Sequence, residues 1–292
     1  MTAARASALL VLVAAGLPAQ VPVSGIAHVA VRVGDLDVAR RFYGGALGFA
    51  EPFQFTDGGK TSVAFLKIND RQFIELYPGL KPGQERWLHV CLEVADIERT
   101  WRLLDAAGLK PSKVNLGRAG NLLTMFRDPD GNLIEFLQYL PESMHLKAAG
   151  QALSDRRISV RLSHAGLPVR DKEKAAGFYA GKLGFLPRRQ GSRLFLRIPG
   201  ANGQSLELVD PAPGGSIGLA VRDLPAAWKT LVSRGALSPG GDVPPADPYG
   251  TLIDFAAEGG DPPDRATLRR RRALPPSAES ASKQQFARRY FE

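Results

Sequence analysis

Cysteine is almost absent from this chain of 292 residues, in which Cys91 is the only one. No disulfide can form within the chain, so the fold must be stabilised by its apolar core. Tryptophan and methionine are also scarce, with three residues each, and the hydrophobic fraction of 44% is ordinary for a globular protein. The apolar run near the N-terminus, of about a dozen residues, is too short to cross a bilayer as a helix. These features exclude a disulfide-stapled scaffold and predict no stable membrane insertion.

The N-terminal residues, MTAARASALLVLVAAGLPAQ, place one arginine before this apolar run and small residues after it. That layout is typical of a secretory signal peptide. We therefore predict a signal peptide over residues 1–20, with cleavage near Ala19 or Gln20 and export to the periplasm or the extracellular space. The alternative is a cytoplasmic protein in which this segment is a buried first helix or a frayed apolar terminus.

The net charge of +9 is unevenly distributed. Residues 259–292 are rich in proline, serine and arginine, contain four consecutive arginines at 269–272, and lack apolar periodicity. They predict a solvated, mostly disordered basic tail. Because this basic run lies outside the predicted folded units and has no recognition motif, we expect a small-molecule ligand and no nucleic-acid partner.

A nine-residue motif occurs twice, as RFYGGALGF at 41–49 and GFYAGKLGF at 177–185. In both copies a histidine, His28 or His164, precedes the Phe-Tyr pair by the same interval. A motif and a histidine that recur together at a fixed offset indicate a duplicated structural unit.

Strand and helix patterns around the two copies predict an α+β fold of four βαβββ modules, arranged as two pairs, with each helix on one face of a mixed sheet. We predict a first domain over 21–142, a linker over 143–157 and a second domain over 158–258. Four modules in one chain can form their sheet cups internally, which leaves a monomer and a homodimer both open.

The first predicted strand, GIAHVAVRV, has period-two alternation. Ala27 and the three valines at 29, 31 and 33 fall on one face, and His28 falls on the other. The helix that follows is predicted to be capped by Asp35 or Asp37 and to end at Gly48.

Two histidines and two glutamates recur with nearly the same spacing. Glu75 follows His28 by 47 residues, and Glu135 follows His89 by 46. Strand alternation points all four side chains away from the aliphatic, helix-covered faces. Each alone reads as an ordinary polar strand residue, but the repeated interval favours a joint site. Two imidazoles and two carboxylates form a good ligand set for a divalent first-row metal.

Other residues share the predicted cup face. Tyr77, Trp87 and Cys91 alternate with the aliphatic positions of their strands and are predicted to contact the substrate. Cys91 is alternatively a soft metal ligand or a redox nucleophile. Histidine 145, in the linker, is predicted to be exposed, and the tyrosines of the nine-residue motif are predicted to pack in the core.

The segments IAHVAV, RRFYGGALGF, FIELY, WLHVCLEV and FRDPDGNLIEF together resemble the vicinal oxygen chelate superfamily, which includes glyoxalase I, extradiol dioxygenases and bleomycin resistance proteins. The resemblance covers residues 24–140 well and 158–258 less well. It implies paired modules that form a cup, with a metal held by the first and last strands of each module.

The His, Glu, His, Glu set is most similar to that of glyoxalase I. This resemblance implies a metal-dependent lyase or isomerase that acts on a small oxygen-rich molecule and holds one divalent ion, Ni, Zn, Mn or Fe. One carboxylate also serves as base, and we favour Glu135 over Glu75. Extradiol dioxygenases use two histidines and one glutamate, in the positions of His28, His89 and Glu135, and are the first alternative. A non-catalytic small-molecule-binding protein of the resistance type is the second.

The second half keeps His164 and Glu207 of this pattern. Ser216 or a neighbour stands where the second histidine would fall, and Asp254 replaces the last glutamate. Serine is a poor metal ligand, so we predict a degenerate domain with a structural or substrate-shaping role.

Overall fold

The computed structural model describes residues 20–212, 214–237 and 246–258. The predicted basic tail and the predicted signal peptide, up to residue 19, lie outside these ranges. Within them, no helix combines the length and the apolar character needed to span a membrane.

The described residues form two pairs of structural modules built from strands and short helices. The strands are β1 Val23–Arg32, β2 Ala50–Asp57, β3 Lys60–Asn69, β4 Gln72–Tyr77, β5 Trp87–Val94, β6 Asn115–Leu116, β7 Leu122–Arg127, β8 Leu133–Gln138, β9 Arg161–Pro168, β10 Leu186–Gln190, β11 Arg193–Arg197, β12 Ser205–Val209, β13 Ser216–Val221 and β14 Leu252–Ala257. The helices are α1 Leu36–Arg40, which continues as a π-helical stretch Arg41–Ala46, α2 Ile97–Ala106, α3 Met144–Lys147, α4 Lys172–Leu183 and α5 Leu224–Ser233.

The strands assemble into two mixed sheets. The first has eight strands in the order β2-β3-β4-β1-β5-β8-β7-β6, and the second has six in the order β10-β11-β12-β9-β13-β14. The predicted α+β fold of paired modules is confirmed.

In each sheet the opening strands of two modules lie side by side. β1 and β5 pair antiparallel, while β1 pairs parallel with β4 and β5 pairs parallel with β8. The second sheet has the same arrangement, with β9 and β13 antiparallel and with the parallel pairs β9–β12 and β13–β14. The first and last strands of both modules therefore meet in the middle of each sheet.

The predicted alternation of β1 is interrupted by a β-bulge. Ile26 pairs with Leu92 and His28 pairs with Cys91, so Ala27 is an extra residue of β1 that has no partner of its own on β5. The bulge turns the strand locally. Ile26 consequently joins the valines of β1 in the main core, while Ala27 packs beside Cys91 on the other face. Sequence periodicity assigned Ala27 to the wrong face because it contains no sign of the extra residue.

Two glutamines join the halves at this bulge. Gln204 accepts from the backbone N–H of Ile26 at 2.9 Å and donates to the carbonyl of Leu162 at 2.7 Å. Gln72 donates to the carbonyl of Ile26 at 2.8 Å and accepts from the N–H of Leu162 at 2.9 Å. These side chains supply partners for buried backbone groups, which are costly to leave unpaired.

The tyrosines of the repeated motif do more than pack. Both are fully buried, as predicted for core residues. Tyr43 donates to Asp247 at 2.9 Å, and Tyr179 donates to Asp128 at 2.8 Å. Each aspartate begins an Asp-Pro-x-Gly turn in the opposite half of the chain. The repeated tyrosine thus connects each half to the other.

We expect Tyr43→Phe to lower the free energy of unfolding by about 1–3 kcal/mol, because it leaves the buried Asp247 carboxyl without this donor. Urea denaturation measures the effect. Tyr249→Phe is the matched control, since its hydroxyl bonds the backbone of Asp35 at a partly exposed position, where substitutions change stability by less than about 0.5 kcal/mol. Equal effects of the two substitutions would show that the buried Tyr43–Asp247 bond contributes no more than the exposed bond of Tyr249 to Asp35.

Candidate metal centre

The four predicted ligands come from the four central strands of the first sheet. His28 lies on β1, Glu75 on β4, His89 on β5 and Glu135 on β8. All four side chains are buried, with exposed fractions between 2% and 8%. Parallel pairing of the first and last strand in each module places Glu75 close to His28 and sets Glu135 opposite Cys91, two residues along β5 from His89.

The ligand atoms converge. The Nε2 atoms of His28 and His89 are 3.0 Å apart. His28 Nε2 lies 3.5 Å from an oxygen of Glu75 and 3.4 Å from one of Glu135, and His89 Nε2 lies 3.8 Å from Glu75. Atoms that bind one ion at about 2.1 Å are about 3.0 Å apart at right angles and about 3.4 Å apart in a tetrahedron. The spacing of His28, His89 and Glu75 fits a single first-row ion, and Glu135 approaches the same His28 nitrogen from the other side together with Cys91.

Burial sets the charge of the group. It lowers the pKa of His89 to about 4 and the pKa of His28 well below its usual range. Burial also raises the pKa of Glu75 to about 8, with a contribution from the charge of Glu135, and the pKa of Glu135 to about 7. The imidazoles are therefore neutral at neutral pH and have lone pairs for a metal. The raised carboxyl pKa values mark a place where a divalent cation would relieve unfavourable buried negative charge.

Tyr77 and Cys91 lie against these ligands. The hydroxyl of Tyr77 donates to Glu75 at 3.0 Å. Cys91 is fully buried and stands opposite His28 and Glu135 in the strand register. Its sulfur and single ligand atoms of these two residues all lie within 4.8 Å of one another. Burial, followed by the charge of Glu135, raises the pKa of the Cys91 thiol.

Trp87 is not part of the group, contrary to prediction. A second irregularity, where Ala30 pairs with His89 but the adjacent Val31 pairs with Trp87, breaks the alternation of β5. The indole consequently joins the main apolar core. It lies against Gly215, where an added Cβ atom would stand 2.2 Å from the ring.

An aromatic wall flanks the ligands on the side of β2, β3 and β4. Valine 63 and five aromatic residues form it: Phe53, Phe55, Phe65, Phe73 and Tyr77. Glu75 lies between Phe73 and Tyr77 on β4, so the ligands border an apolar surface.

His145 is the main residue that sequence reasoning misplaced. It was predicted to be exposed, yet it is 1% exposed and belongs to α3 of the linker. Its ring centroid lies 4.7 Å from that of Phe73 and 5.1 Å from that of Phe53. Asn121 bonds its Nδ1 atom at 2.9 Å, while Nε2 has no protein partner. The linker therefore contributes a buried imidazole to the aromatic wall.

A buried lysine fixes the end of α3. Lys67 is fully buried and bonds the carbonyls of Ala148 and, at 2.7 Å, Gln151, and it pairs with Asp70 at 2.6 Å. Asp70 also accepts from the N–H of Gly150 at 2.9 Å. The sequence did contain a sign of this contact. Lys67 lies between apolar positions of a predicted strand, and a buried lysine requires partners from elsewhere in the chain.

The metal-free protein is expected to lose stability as pH rises from 6.5 to 8.5. In this window the folded state keeps protons on Glu75 and Glu135 that the unfolded chain has released, so the free energy of unfolding falls with pH. Below pH 6.5 the unfolded histidines take up protons that folded His28 and His89 do not, and this opposes the carboxyl effect.

Urea denaturation in chelator at the two pH values tests this prediction. A metal-loaded sample should not show this fall, because the ion keeps both carboxyls deprotonated in the folded state, as they already are in the unfolded chain. Metal-free stability that increases over the same window would contradict the assignment of these carboxyls.

Comparison with known proteins supports the fold and the family. Residues 25–136 match the model of the Glyoxalase/Bleomycin resistance protein/Dioxygenase superfamily. No curated protein matches the chain in sequence.

Several solved structures resemble the chain at low sequence identity. The Mn(II)-bound glyoxalase from Novosphingobium aromaticivorans has 18% identity and a TM-score of 0.62 over 83% of this chain and 84% of its own. The 2,3-dioxygenase LapB from Pseudomonas sp. KL28 has 17% identity and a TM-score of 0.64 over 84% and 95%. A catechol 2,3-dioxygenase has 18% identity and a TM-score of 0.61 over 83% and 95%. At these identities the likeness shows a shared fold. With the family match, it establishes that residues 25–136 form a domain of the Glyoxalase/Bleomycin resistance protein/Dioxygenase superfamily.

Proposed function

We propose that this protein is a divalent-metal-dependent lyase or isomerase of the glyoxalase type, which removes a proton next to a carbonyl of a small oxygen-rich molecule. The observation that carries the proposal is that two carboxylates lie at this centre: Glu75 is close to both imidazoles, and Glu135 is 3.4 Å from His28. Two carboxylates allow one to hold the metal while the other accepts a proton.

His28, His89 and Glu75 are the residues that hold the ion in this proposal. A divalent ion there supplies a Lewis acid that polarises the substrate carbonyl and makes the neighbouring C–H more acidic. The Tyr77 hydroxyl bond orients Glu75. Glu135 accepts the proton, because its pKa of about 7 suits a general base at neutral pH.

The aromatic wall indicates the kind of substrate. Its rings form an apolar surface directly beside the ligands. A substrate with two adjacent oxygens and an apolar substituent would place the oxygens at the metal and the substituent against the phenylalanines. Burial of such a substituent contributes about 25 cal/mol per Å² of apolar area.

An extradiol dioxygenase is the second candidate. It is favoured by the likeness to two dioxygenase structures, each covered to 95% of its length. In this alternative His28, His89 and Glu135 hold iron or manganese, and Glu75 is an additional anion.

One pair of assays separates the two candidates. The protein is reconstituted with Mn, Ni, Zn or Fe(II). Proton exchange into deuterated solvent is followed by NMR on 2-hydroxyketones and on thiol adducts of 2-oxoaldehydes, and oxygen uptake is followed with catechols. We expect exchange without oxygen consumption. Iron-dependent oxygen uptake without exchange would replace the lyase proposal by the dioxygenase, and neither activity in the metal-loaded protein would favour a binding protein.

We also propose that the mature protein is exported and begins near Val21. This rests on the N-terminal sequence pattern alone. N-terminal sequencing of the protein from its native cells tests it, and an intact Met1 in the soluble fraction would contradict it.

A further inference from the structure

The second sheet contains a counterpart of the metal centre. His164 lies on β9, Glu207 on β12 and Asp254 on β14, the strands that correspond to β1, β4 and β8 of the first sheet. His164 Nε2 is 3.7 Å from Glu207 and 3.4 Å from Asp254. All three side chains are buried, with exposed fractions of 1% or 2%.

A guanidinium lies among these three groups. Arg193, on β11, donates from Nε to Glu207 at 2.9 Å and from Nη2 to the other oxygen of Glu207 at 2.8 Å. The same Nη2 is 3.3 Å from His164 Nε2 and also donates to Asp254. Arg193 is only 3% exposed. One nitrogen thus touches the three groups that correspond to ligands of the first sheet.

The fourth ligand position differs. In the first sheet Ala30 pairs with His89, and in the second the corresponding Gly166 pairs with Ser216. Two residues further along, the position that pairs with the first histidine is Cys91 in the first sheet and Gly218 in the second. A Cβ atom on Gly218 would lie 2.1 Å from the His164 ring, so glycine makes room for this imidazole. The second sheet therefore offers three ligand side chains and one fixed cation.

We propose that the Arg193 guanidinium takes the place of a metal ion in the second sheet. Its positive charge and its donors satisfy both buried carboxylates, and arginine stays protonated at any pH the protein experiences. A divalent ion cannot enter while the guanidinium is present, because the two cations would repel each other in a buried site and compete for the same oxygens. The wild-type chain consequently holds its ion in the first sheet alone, and removal of the guanidinium turns the second cluster into a divalent metal site.

The inference is independent of the proposed enzymatic function, and the test separates the two sheets. In a His28→Ala background, which removes a ligand of the first sheet, zinc binding is measured by equilibrium dialysis and elemental analysis. We expect no tightly bound zinc in this background and one equivalent after Arg193→Ala is added. Adding His164→Ala to that double variant should abolish binding again. Arg193→Lys, which retains a positive charge, should bind none.

Thermal unfolding gives a second readout. We expect zinc to raise the unfolding temperature of His28→Ala/Arg193→Ala and to leave that of His28→Ala unchanged. Arg193→Met, which keeps an unbranched apolar stem without the guanidinium, replaces Arg193→Ala if the latter does not fold.

Two results would overturn the proposal. One is a folded His28→Ala/Arg193→Ala or His28→Ala/Arg193→Met protein that takes up no zinc at millimolar concentration. The other needs no arginine variant: tightly bound zinc in His28→Ala alone that disappears when His164→Ala is added would show that the wild-type second sheet already holds a metal.

Discussion

Replacing His28 by alanine is expected to weaken divalent metal binding by more than 100-fold and to abolish the proposed activity. The Nε2 atom of His28 is the nearest common neighbour of the other ligands, at 3.0 Å from His89 and 3.4–3.5 Å from the two glutamates. Structural zinc sites with four ligands bind with about 10–16 kcal/mol, so one ligand accounts for about 3 kcal/mol, or roughly 100-fold in affinity. Competition with a fluorescent chelator measures the affinity directly.

His164→Ala is the matched control for this substitution. His164 occupies the corresponding position of the second sheet and is equally buried, so a general effect of losing a buried strand histidine would appear in both variants. We expect His164→Ala to keep the metal affinity of the wild type within a few-fold. A His28→Ala protein that folds and binds metal as tightly as the wild type would remove His28 from the site.

Replacing Glu135 by glutamine is expected to lower the rate of proton exchange by about 100-fold to 10,000-fold, the usual range for loss of a general base. Glutamine keeps the size of the side chain and an oxygen that can contact the metal, but it cannot accept the proton. Metal content should therefore change much less than the rate. Solvent deuterium exchange at saturating metal, with kcat and KM determined separately, measures the effect.

Glu75→Gln is the comparison that assigns the two carboxylates. Because the Tyr77 hydroxyl orients Glu75, we expect this substitution to act mainly on metal affinity and to leave a larger fraction of kcat at saturating metal. If Glu75→Gln costs more in kcat than Glu135→Gln while metal content is retained in both, the two roles are reversed. Equal losses, with metal lost from both variants, would show that both carboxylates act as ligands alone.

The centre of the first sheet could be predicted because it depends on regular strands. The interval between each histidine and its glutamate spans one module, and alternation within FIELY and around His89 placed these side chains on the correct face. The paired βαβββ architecture followed from the same repeat. In the structure His28 lies 3.0–3.5 Å from the other three side chains, and His89 lies 3.8 Å from Glu75.

The errors arose where the backbone departs from regularity or where distant segments meet. Bulges in β1 and β5 place Ala27 and Trp87 on the faces opposite to those expected. Strict alternation of side chains assumes a regular strand, so it cannot anticipate an inserted residue. His145 lies in a polar linker, so its burial depends on aromatic residues some 70 to 90 positions earlier in the chain. Local pattern carries no information about such long-range contacts.

The second sheet shows a third kind of limit. The loss of its second histidine and the change of its last glutamate to Asp254 were visible in the sequence. The compensating cation was not visible in the sequence. Arg193 comes from β11, and the counterpart of this strand in the first sheet, β3, supplies no ligand. Its role is evident only from the position of its guanidinium between Glu207 and Asp254.

The most direct test of the central claim is X-ray absorption spectroscopy of the protein from residue 21 onward, loaded with one equivalent of zinc. We expect a shell of nitrogen and oxygen ligands at about 2.0–2.1 Å with the outer-shell scattering of two imidazoles, as His28, His89 and Glu75 require. A protein that retains no zinc, or a spectrum without imidazole scattering, would contradict the assignment of this group as the metal centre.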